Sequence, residues 1–278
     1  MADYVGDSFY LAKLAKSLPA ADYRACAAWS LWARAPSCIH PNTTCLLARA
    51  GRGLPHGAHG QARDGRRARA EYGDDLAVVC YVNSTVEIKS WSDVCVTSSN
   101  AVKIVSELPQ QHILFIPDQN LGRFVAEQVP QKHVILNNGY CPRHHIITVE
   151  QIVDATEAHP DALVLAHPEC KADVLAEADY IGSTAGIIKY AEESDASEFI
   201  IVTVRGVLYE LERRCQGTGK KFYFPAVQPT CVNMDLITLE KLVRCLETGE
   251  GEVQIGVSDE AADQAKLTLD RMLEYAAR

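Results

Sequence analysis

Cys141 and Cys231 stand 90 residues apart, in the strings Gly139-Tyr140-Cys141-Pro142 and Pro229-Thr230-Cys231-Val232. Their matched settings make them the ends of equivalent short strands. In parallel α/β units the carboxyl ends of strands are where ligands bind. Two thiolates meeting there suit a central metal site; two buried structural cysteines are the plainer alternative. Three hydroxyls, Ser8, Ser98 and Thr184, fall where helices are expected to begin. A helix N-terminus offers free N–H groups and a partial positive charge, so three of them around one centre suggest a shared pocket for phosphate or carboxylate. Taken singly, each hydroxyl reads more readily as an N-cap.

These residues sit in an internal repeat. From Leu76 the chain reads LAVVCYVNSTVEIKSWSDVCVTSSNAVKIV, and from Ala162 it reads ALVLAHPECKADVLAEADYIGSTAGIIKYA. Placing Asp93 on Asp179 puts Tyr81 on His167, Asn83 on Glu169, Ser98 on Thr184 and Lys103 on Lys189. The start of the chain supplies a third copy, in which Asp3 to Ser8 parallels Asp179 to Thr184 and Lys13 falls on Lys189. The apolar runs Leu76–Cys80 and Ala162–Ala166 suit central parallel strands covered on both faces. His112–Pro117 and Glu198–Val204 follow as further strands, each leading into a helix, Leu121–Gln128 and Val207–Arg214.

Composition narrows the class. A net charge of −9 and a pI near 5.5 argue against nucleic acid or an anionic membrane as partner. No apolar run is long enough to span a bilayer, and the first residues lack a basic start and an apolar signal core. A cytoplasmic protein is expected. Ten cysteines without one C-x-x-C pair leave metal ligation, catalysis or burial as their uses, since thiols stay reduced in that compartment.

The ordered strings GDS (6–8), YVN (81–83), TSSNA (97–101), PDQNLGR (117–123), GYCP (139–142), HPEC (167–170), GST (182–184) and CVNM (231–234) resemble quinolinate synthase over residues 1–20 and 66–250. Each string is weak; their order is specific. The resemblance implies an α/β fold of three pseudo-equivalent three-layer αβα lobes. Their parallel sheets surround a central active site. The lobes would be residues 1–73 (incomplete), 74–157, and 158–278 with a C-terminal helix. It also implies a [4Fe–4S] cluster held by one cysteine per lobe, with an open iron that acts as a Lewis acid. The reaction implied is condensation of iminoaspartate with dihydroxyacetone phosphate to quinolinate, with loss of phosphate and water. An L-aspartate oxidase or aspartate dehydrogenase would supply the iminoaspartate. By the same resemblance Cys141 and Cys231 match two cluster ligands. Glu169 and His167 match the acid/base and carboxylate-binding pair, with Tyr81 as a further catalytic residue. Ser8, Asn83, Ser98, Ser183 and Thr184 match substrate-binding positions, and Cys170 reads as structural.

The sequence departs from the pattern in places. The family's opening strand, with its Ala-His-x-Tyr-Gln-like motif, is missing before Met1. Leu54, in Gly53-Leu54-Pro55-His56, stands where the third cysteine ligand is expected, in a Gly-Cys-Pro-Met string. Val204-Arg205 stands where many members carry Glu after the Thr. Residues 23–63 contain no Asp, Glu or Lys and show no strand or helix period, although the rest of the chain is acidic. A frame error accounts for this. GLPHGAHG (53–60) is encodable as GGG CTG CCC CAT GGC GCA CAT GGN, which one nucleotide later reads Gly-Cys-Pro-Met-Ala-His-Met. LWARAP (31–36) is encodable so that two nucleotides later it reads Met-Gly-Glu-Ser-Ala, another family string. Residues 23–65 are therefore expected to be poorly packed, and this copy of the enzyme to be impaired. Two other readings compete: a non-catalytic phosphometabolite binder on the same scaffold, and a nucleic-acid binder using the arginines of residues 23–69. The second lacks any aromatic-basic motif.

Overall fold

The computed structural model describes residues 6, 8–17, 58–225, 230–231, 235, 238–248 and 259–278. Helix α1 (Ser8–Ser17) and helix α2 (Ala58–Tyr72) precede a first sheet. That sheet is built from β1 (Leu76–Tyr81), β2 (Val94–Val96), β3 (His112–Ile116) and β4 (His133–Leu136), all parallel, in the order β2-β1-β3-β4. Helices α3 (Val86–Trp91), α4 (Ala101–Glu107) and α5 (Gln119–Gln128) make its crossovers. Two helices, α6 (Pro142–His145) and α7 (Val149–Ala158), lead to a second sheet. It contains β5 (Leu163–Ala166), β6 (Tyr180–Ile181), β7 (Glu198–Val202) and β8 (Lys221–Tyr223), in the order β6-β5-β7-β8 and again parallel. Its crossovers are α8 (Ala172–Ala176), α9 (Thr184–Glu193) and α10 (Leu208–Arg214). The α/β class with parallel sheets is thus as expected. The third unit, at the start of the chain, falls mostly outside the described residues.

The two sheets share order and register. Leu76 to Cys80 pair with His112 to Ile116, and Leu163 to Ala166 pair with Phe199 to Val202, one repeat later. Asp93 takes the backbone N–H of Val78 on Oδ2 at 2.6 Å, while Asp179 takes that of Val164 at 2.8 Å. Lysines repeat too. Lys132 donates to the carbonyls of Leu108 and Gln110, and Lys220 to those of Ala191, Glu192 and Ser194. Both cations satisfy the exposed carbonyls at a helix C-terminus, where the helix dipole favours positive charge.

Alternation along the second sheet makes the three layers. Val164, Ala166, Ile200 and Val202 pack on one face with Ile152 and Val174; Leu165, Phe199 and Ile201 pack on the other with Ile187 and Leu211. Burying each large side chain is worth about 1.5–3 kcal/mol, which drives helices onto both faces.

Helices α11 (Leu239–Thr248) and α12 (Asp259–Ala277) close the chain. Helix α12 packs on the first sheet. Its Ala265, Leu269 and Met272, on one helical stripe, join the core of Val79, Val94 and Ile104. Thr268 Oγ1 donates to Lys89 O at 2.8 Å, and Arg271 Nη1 to Asp93 O at 2.9 Å.

The stretch expected to be irregular is partly corrected. Residues 18–57 lie outside the described ones, but Ala58–Tyr72 is a helix, so its first residues 58–65 are regular. Alanine and arginine are strong helix formers. The helix also has a surface to rest on: a Cβ at Gly65 would lie 2.6 Å from Trp91 Cζ3, so the glycine lets α2 close on α3. Ala68 is buried, and Arg69 pairs with Asp93 at 2.8 Å.

Candidate active site

The strand ends of the two sheets converge through side chains. Asp118 caps α5, its Oδ1 accepting the N–H groups of Asn120 and Leu121 at 2.9 Å. Its Oδ2 accepts the Cys141 N–H at 2.7 Å, which fixes the loop beyond β4. Cys141 is not the end of a strand, as the sequence suggested. A parallel bridge between Asp118 and Gly139 continues the β3–β4 line, and Cys141 then becomes the N-cap residue of α6. Pro142 forces the turn, since it lacks an N–H and suits the first helical position.

Three residues into that helix turn comes His144, whose Nδ1 lies 3.3 Å from Cys141 Sγ and 3.1 Å from Glu169 Oε2. Its Nε2 lies 3.0 Å from Thr203 Oγ1, beyond β7. Glu169 and His167 stand on the loop after β5. The Glu169 N–H donates to His167 Nδ1 at 3.3 Å, which leaves the proton of His167 on Nε2, 3.3 Å from the Ser98 hydroxyl. The rings of His144 and His167 stack at 4.7 Å. Asn120 Nδ2 donates to Glu169 O at 3.0 Å, tying α5 to the same loop.

Burial and charge set different states for neighbouring groups. Desolvation opposes charge on His144, but the sulfur of Cys141 and the carboxylate of Glu169 outweigh it and hold its pKa well above the ordinary value. Desolvation, then the charge of His144, pushes His167 down to about 3, so it is a neutral donor and acceptor. Asp118 is raised to about 7 by burial and then by Glu169. Tyr81, buried at the end of β1 against Ser98, is raised well above 10.0 by desolvation and Glu169. A buried cationic imidazole, a neutral one and two carboxyl groups are the parts of an acid/base centre.

The expected residues divide into groups. His167, Glu169, Ser98, Tyr81 and Cys141 come together, with Asn83 half-buried in the turn after β1. Ser98 does not open its helix; Asn100 precedes α4, and Ser98 turns to His167 instead. On α9 the cap is Ser183, which accepts the Gly186 N–H at 3.1 Å, and Thr184 is the first helical residue. Ser8 is the first residue of α1. Cys170 is buried, its thiol pushed up to about 11 by desolvation, with the sulfur 3.6 Å from Val202 O. Cys231 is buried too. Among the described residues, the donors gathered within 4.8 Å of one another are those of Cys141, His144 and Glu169, without Cys231. Leu54 lies outside the described residues. His144, Asp118 and Asn120 were missed. The Cys141-x-x-His144 spacing is the signal that points to the first, since residues three apart share a helix face.

The family profile described as "Quinolinate synthetase A protein" matches residues 1–274. This chain belongs to that family. Quinolinate synthase of Fusobacterium nucleatum is 42% identical over 276 residues, covering 99% of this chain and 90% of that protein. Quinolinate synthase of Caldicellulosiruptor bescii is 41% identical over 274 residues, 99% of this chain and 88% of the relative. Quinolinate synthase of Methanoregula boonei is 38% identical over 273 residues, 98% and 88% of the two chains. No helix among the described residues is long and apolar enough to cross a membrane.

The quinolinate synthase family implies a metal or iron–sulfur cofactor, and the donors here match it in part. Cys141 is half-exposed and lies with His144 and Glu169 in a group of donors that could hold a metal ion. Cys231 is a further buried thiol among the described residues, and Leu54 lies outside them.

Proposed function

We propose that this chain is a quinolinate synthase of NAD biosynthesis, built to condense iminoaspartate with dihydroxyacetone phosphate, and impaired as written. The observation that carries the reading is the contact of His167 with Ser98 beside Glu169. It sets a neutral imidazole and a carboxylate at the strand ends where family substrates are handled. His167, donating from Nε2, would steady a substrate carboxylate or oxyanion. Glu169, held beside the cationic His144, would move the protons that the condensation and water losses require. Tyr81, kept protonated by burial, would donate from its phenol. Ser8, Asn83, Ser98, Ser183 and Thr184 would bind the substrates' phosphate and carboxylates.

Iminoaspartate is unstable to hydrolysis and would come from an L-aspartate oxidase or an aspartate dehydrogenase. No nucleic acid or membrane partner is involved, and a cytoplasmic setting keeps the thiols reduced. In intact members the open iron of the cluster serves as a Lewis acid for substrate oxygens. Here Leu54 and the frame-shifted stretch 23–65 would deprive the chain of a complete cluster.

The test is anaerobic reconstitution of two full chains, one as written and one with the reading frame restored across residues 23–65. Iron, sulfide and quinolinate are then measured for both. Substoichiometric iron and no quinolinate are expected from the first, and recovery of the cluster's iron and sulfide from the second. Leu54→Cys alone should recover little, because its neighbours stay out of frame. Quinolinate from the chain as written would overturn the impairment. A restored chain that takes up no iron would overturn the enzyme assignment in favour of a phosphometabolite binder, which needs no cluster.

A further inference from the structure

We propose that Cys80 and Cys95 are a redox-active thiol pair, an oxidation site inside the first sheet at which a hydroperoxide is reduced and a cross-strand disulfide closes. Neither thiol belongs to the donors gathered around Cys141, and the proposal does not rest on the quinolinate reading.

The two residues are register partners on β1 and β2. Adjacent strands lie about 4.7–4.9 Å apart, inside the range of about 4.4–6.8 Å between the Cα atoms of bonded cysteines. The sulfurs stand 3.3 Å apart, so both side chains point to the same face. Closing the bond asks for side-chain rotation rather than movement of the sheet.

The fold does not need the polar groups that gather here. Placing Asp93 on Asp179 puts Cys80, Lys89, Ser92 and Cys95 on Ala166, Leu175, Ala178 and Ile181. Ala166 and Ile181 are likewise register partners, on β5 and β6, and Leu175 is buried as Lys89 is. The second sheet thus fills the same four positions with apolar side chains alone. A buried charge is costly, yet Lys89 is 2% exposed, its Nζ donating to Ser84 O at 2.8 Å. Its charge acts on Cys80. Burial, the largest influence on that thiol, opposes ionisation. The hydrogen bond with Cys95 and the charge of Lys89 outweigh it and hold the Cys80 pKa below its ordinary value. A thiol that ionises beside a cation, with a second thiol in contact, is the arrangement of a reactive cysteine and its resolving partner.

Neither thiol has exposed surface, so the oxidant must be as small as hydrogen peroxide and must enter during local opening. The edge position of β2 in its sheet provides for that opening. The Cys80 thiolate attacks one peroxide oxygen, the O–O bond breaks, and hydroxide leaves and takes the proton that Cys80 released, as water. The Cys95 thiol then attacks the sulfenic sulfur of Cys80. The S–O bond breaks, and the oxygen leaves with the Cys95 proton as a second water. Two thiols have lost two electrons, and the peroxide has been reduced to two waters.

The test uses the full chain, reduced, freed of reductant under nitrogen and treated with hydrogen peroxide while folded. Remaining thiols are then blocked in urea and the peptides mapped by mass. The expected product is a Cys80–Cys95 cross-link that dithiothreitol reverses. Cys95→Ser removes the resolving thiol, and Cys80 should then accumulate as a sulfenic acid that dimedone traps. In Cys80→Ala the attacking thiol is gone, and Cys95 should stay reduced. Lys89→Met keeps the stem of the side chain without its charge and should slow the cross-link roughly tenfold, the effect of one pKa unit on the thiolate. Circular dichroism confirms that each variant is folded. Cys80 and Cys95 both still free once the half-exposed Cys141 is fully oxidised would overturn the proposal. So would bonds from either thiol to other cysteines in the folded chain, or an unchanged rate in folded Lys89→Met. None of these readouts depends on iron or on whether quinolinate is made.

Discussion

Nε2 of His167 lies 3.3 Å from the hydroxyl of Ser98. His167 follows β5 and Ser98 follows β2, so a buried imidazole from one sheet is seated by a turn from the other. A site assembled this way reports on the docking of two repeats as well as on its own chemistry.

Removing that hydroxyl should be felt in stability. Ser98→Ala leaves a buried imidazole N–H unpaired, at a cost of about 1–3 kcal/mol. Ser98→Thr keeps the hydroxyl and should lose less. Urea denaturation of both variants measures the difference, and equal midpoints for parent and Ser98→Ala would show that the serine does not hold His167.

Acid should act on the site in two opposing ways. His167 has its pKa lowered from 6.5 to about 3 by desolvation first. Its contribution is therefore complete above pH 6.5 and is lost as pH falls from 6.5 towards 3. Asp118 is raised from 3.8 to about 7, again by desolvation first. Its contribution is complete below 3.8 and is lost as pH rises towards 7. Each slope approaches about 1.4 kcal/mol per pH unit inside its window. Between pH 6.5 and 4 they offset one another in the parent chain. In His167→Gln stability should rise as pH falls through that range, and in Asp118→Asn it should drop. Unfolding midpoints at several pH values decide; parallel profiles for the two variants would refute the assignment.

Thiol chemistry should separate the described cysteines. Cys141 is half-exposed, whereas Cys80, Cys95 and Cys170 have no exposed surface. Burial also holds Cys170 up at about 11, so little thiolate forms there at neutral pH. Among these four, iodoacetamide applied to the native chain should label Cys141 first, and in urea they should react alike. Mass mapping of labelled peptides checks this, with early labelling of Cys170 as the contrary result.

Helix α12 offers a paired comparison. Leu269 is 1% exposed in the core of the first sheet, while Leu267 is 51% exposed on the other face of the same helix. Leu269→Ala should cost about 2–5 kcal/mol. Leu267→Ala should stay within about 0.5 kcal/mol of the parent. Hydrogen exchange in Leu76–Tyr81 and Val94–Val96 should speed up in the first variant alone.

Much of the fold is legible in the sequence because a buried parallel strand leaves a plain trace. Leu76–Cys80 and Ala162–Ala166 are nearly unbroken apolar runs, as strands covered on both faces must be. The alignment of Asp93 with Asp179 corresponds to two copies of one backbone bond, to Val78 and to Val164. Repetition in the letters marks repetition in the hydrogen bonding. The site is harder to read. The role of His144 depends on Thr203, 59 residues away, and on Glu169, neither of which has a fixed spacing from it. Asp118 is visible as part of PDQNLGR, yet its grip on the Cys141 N–H arises only when β3 and β4 lie side by side. Cys141 looked like a strand end because a bridge at Gly139 prolongs the ladder just short of it.

The seat of α12 has a consequence for how the protein is made. Thr268 bonds the carbonyl of Lys89 across 179 residues of chain. At roughly 5–20 residues per second on the ribosome, the nascent first sheet waits about 10–35 seconds with one side uncovered. Its second copy can meanwhile emerge with a similar strand order and identical register. Two near-identical sheets, one of them bare, are liable to pair with each other's edges, and a chaperone that shields the bare face during synthesis would guard against that error.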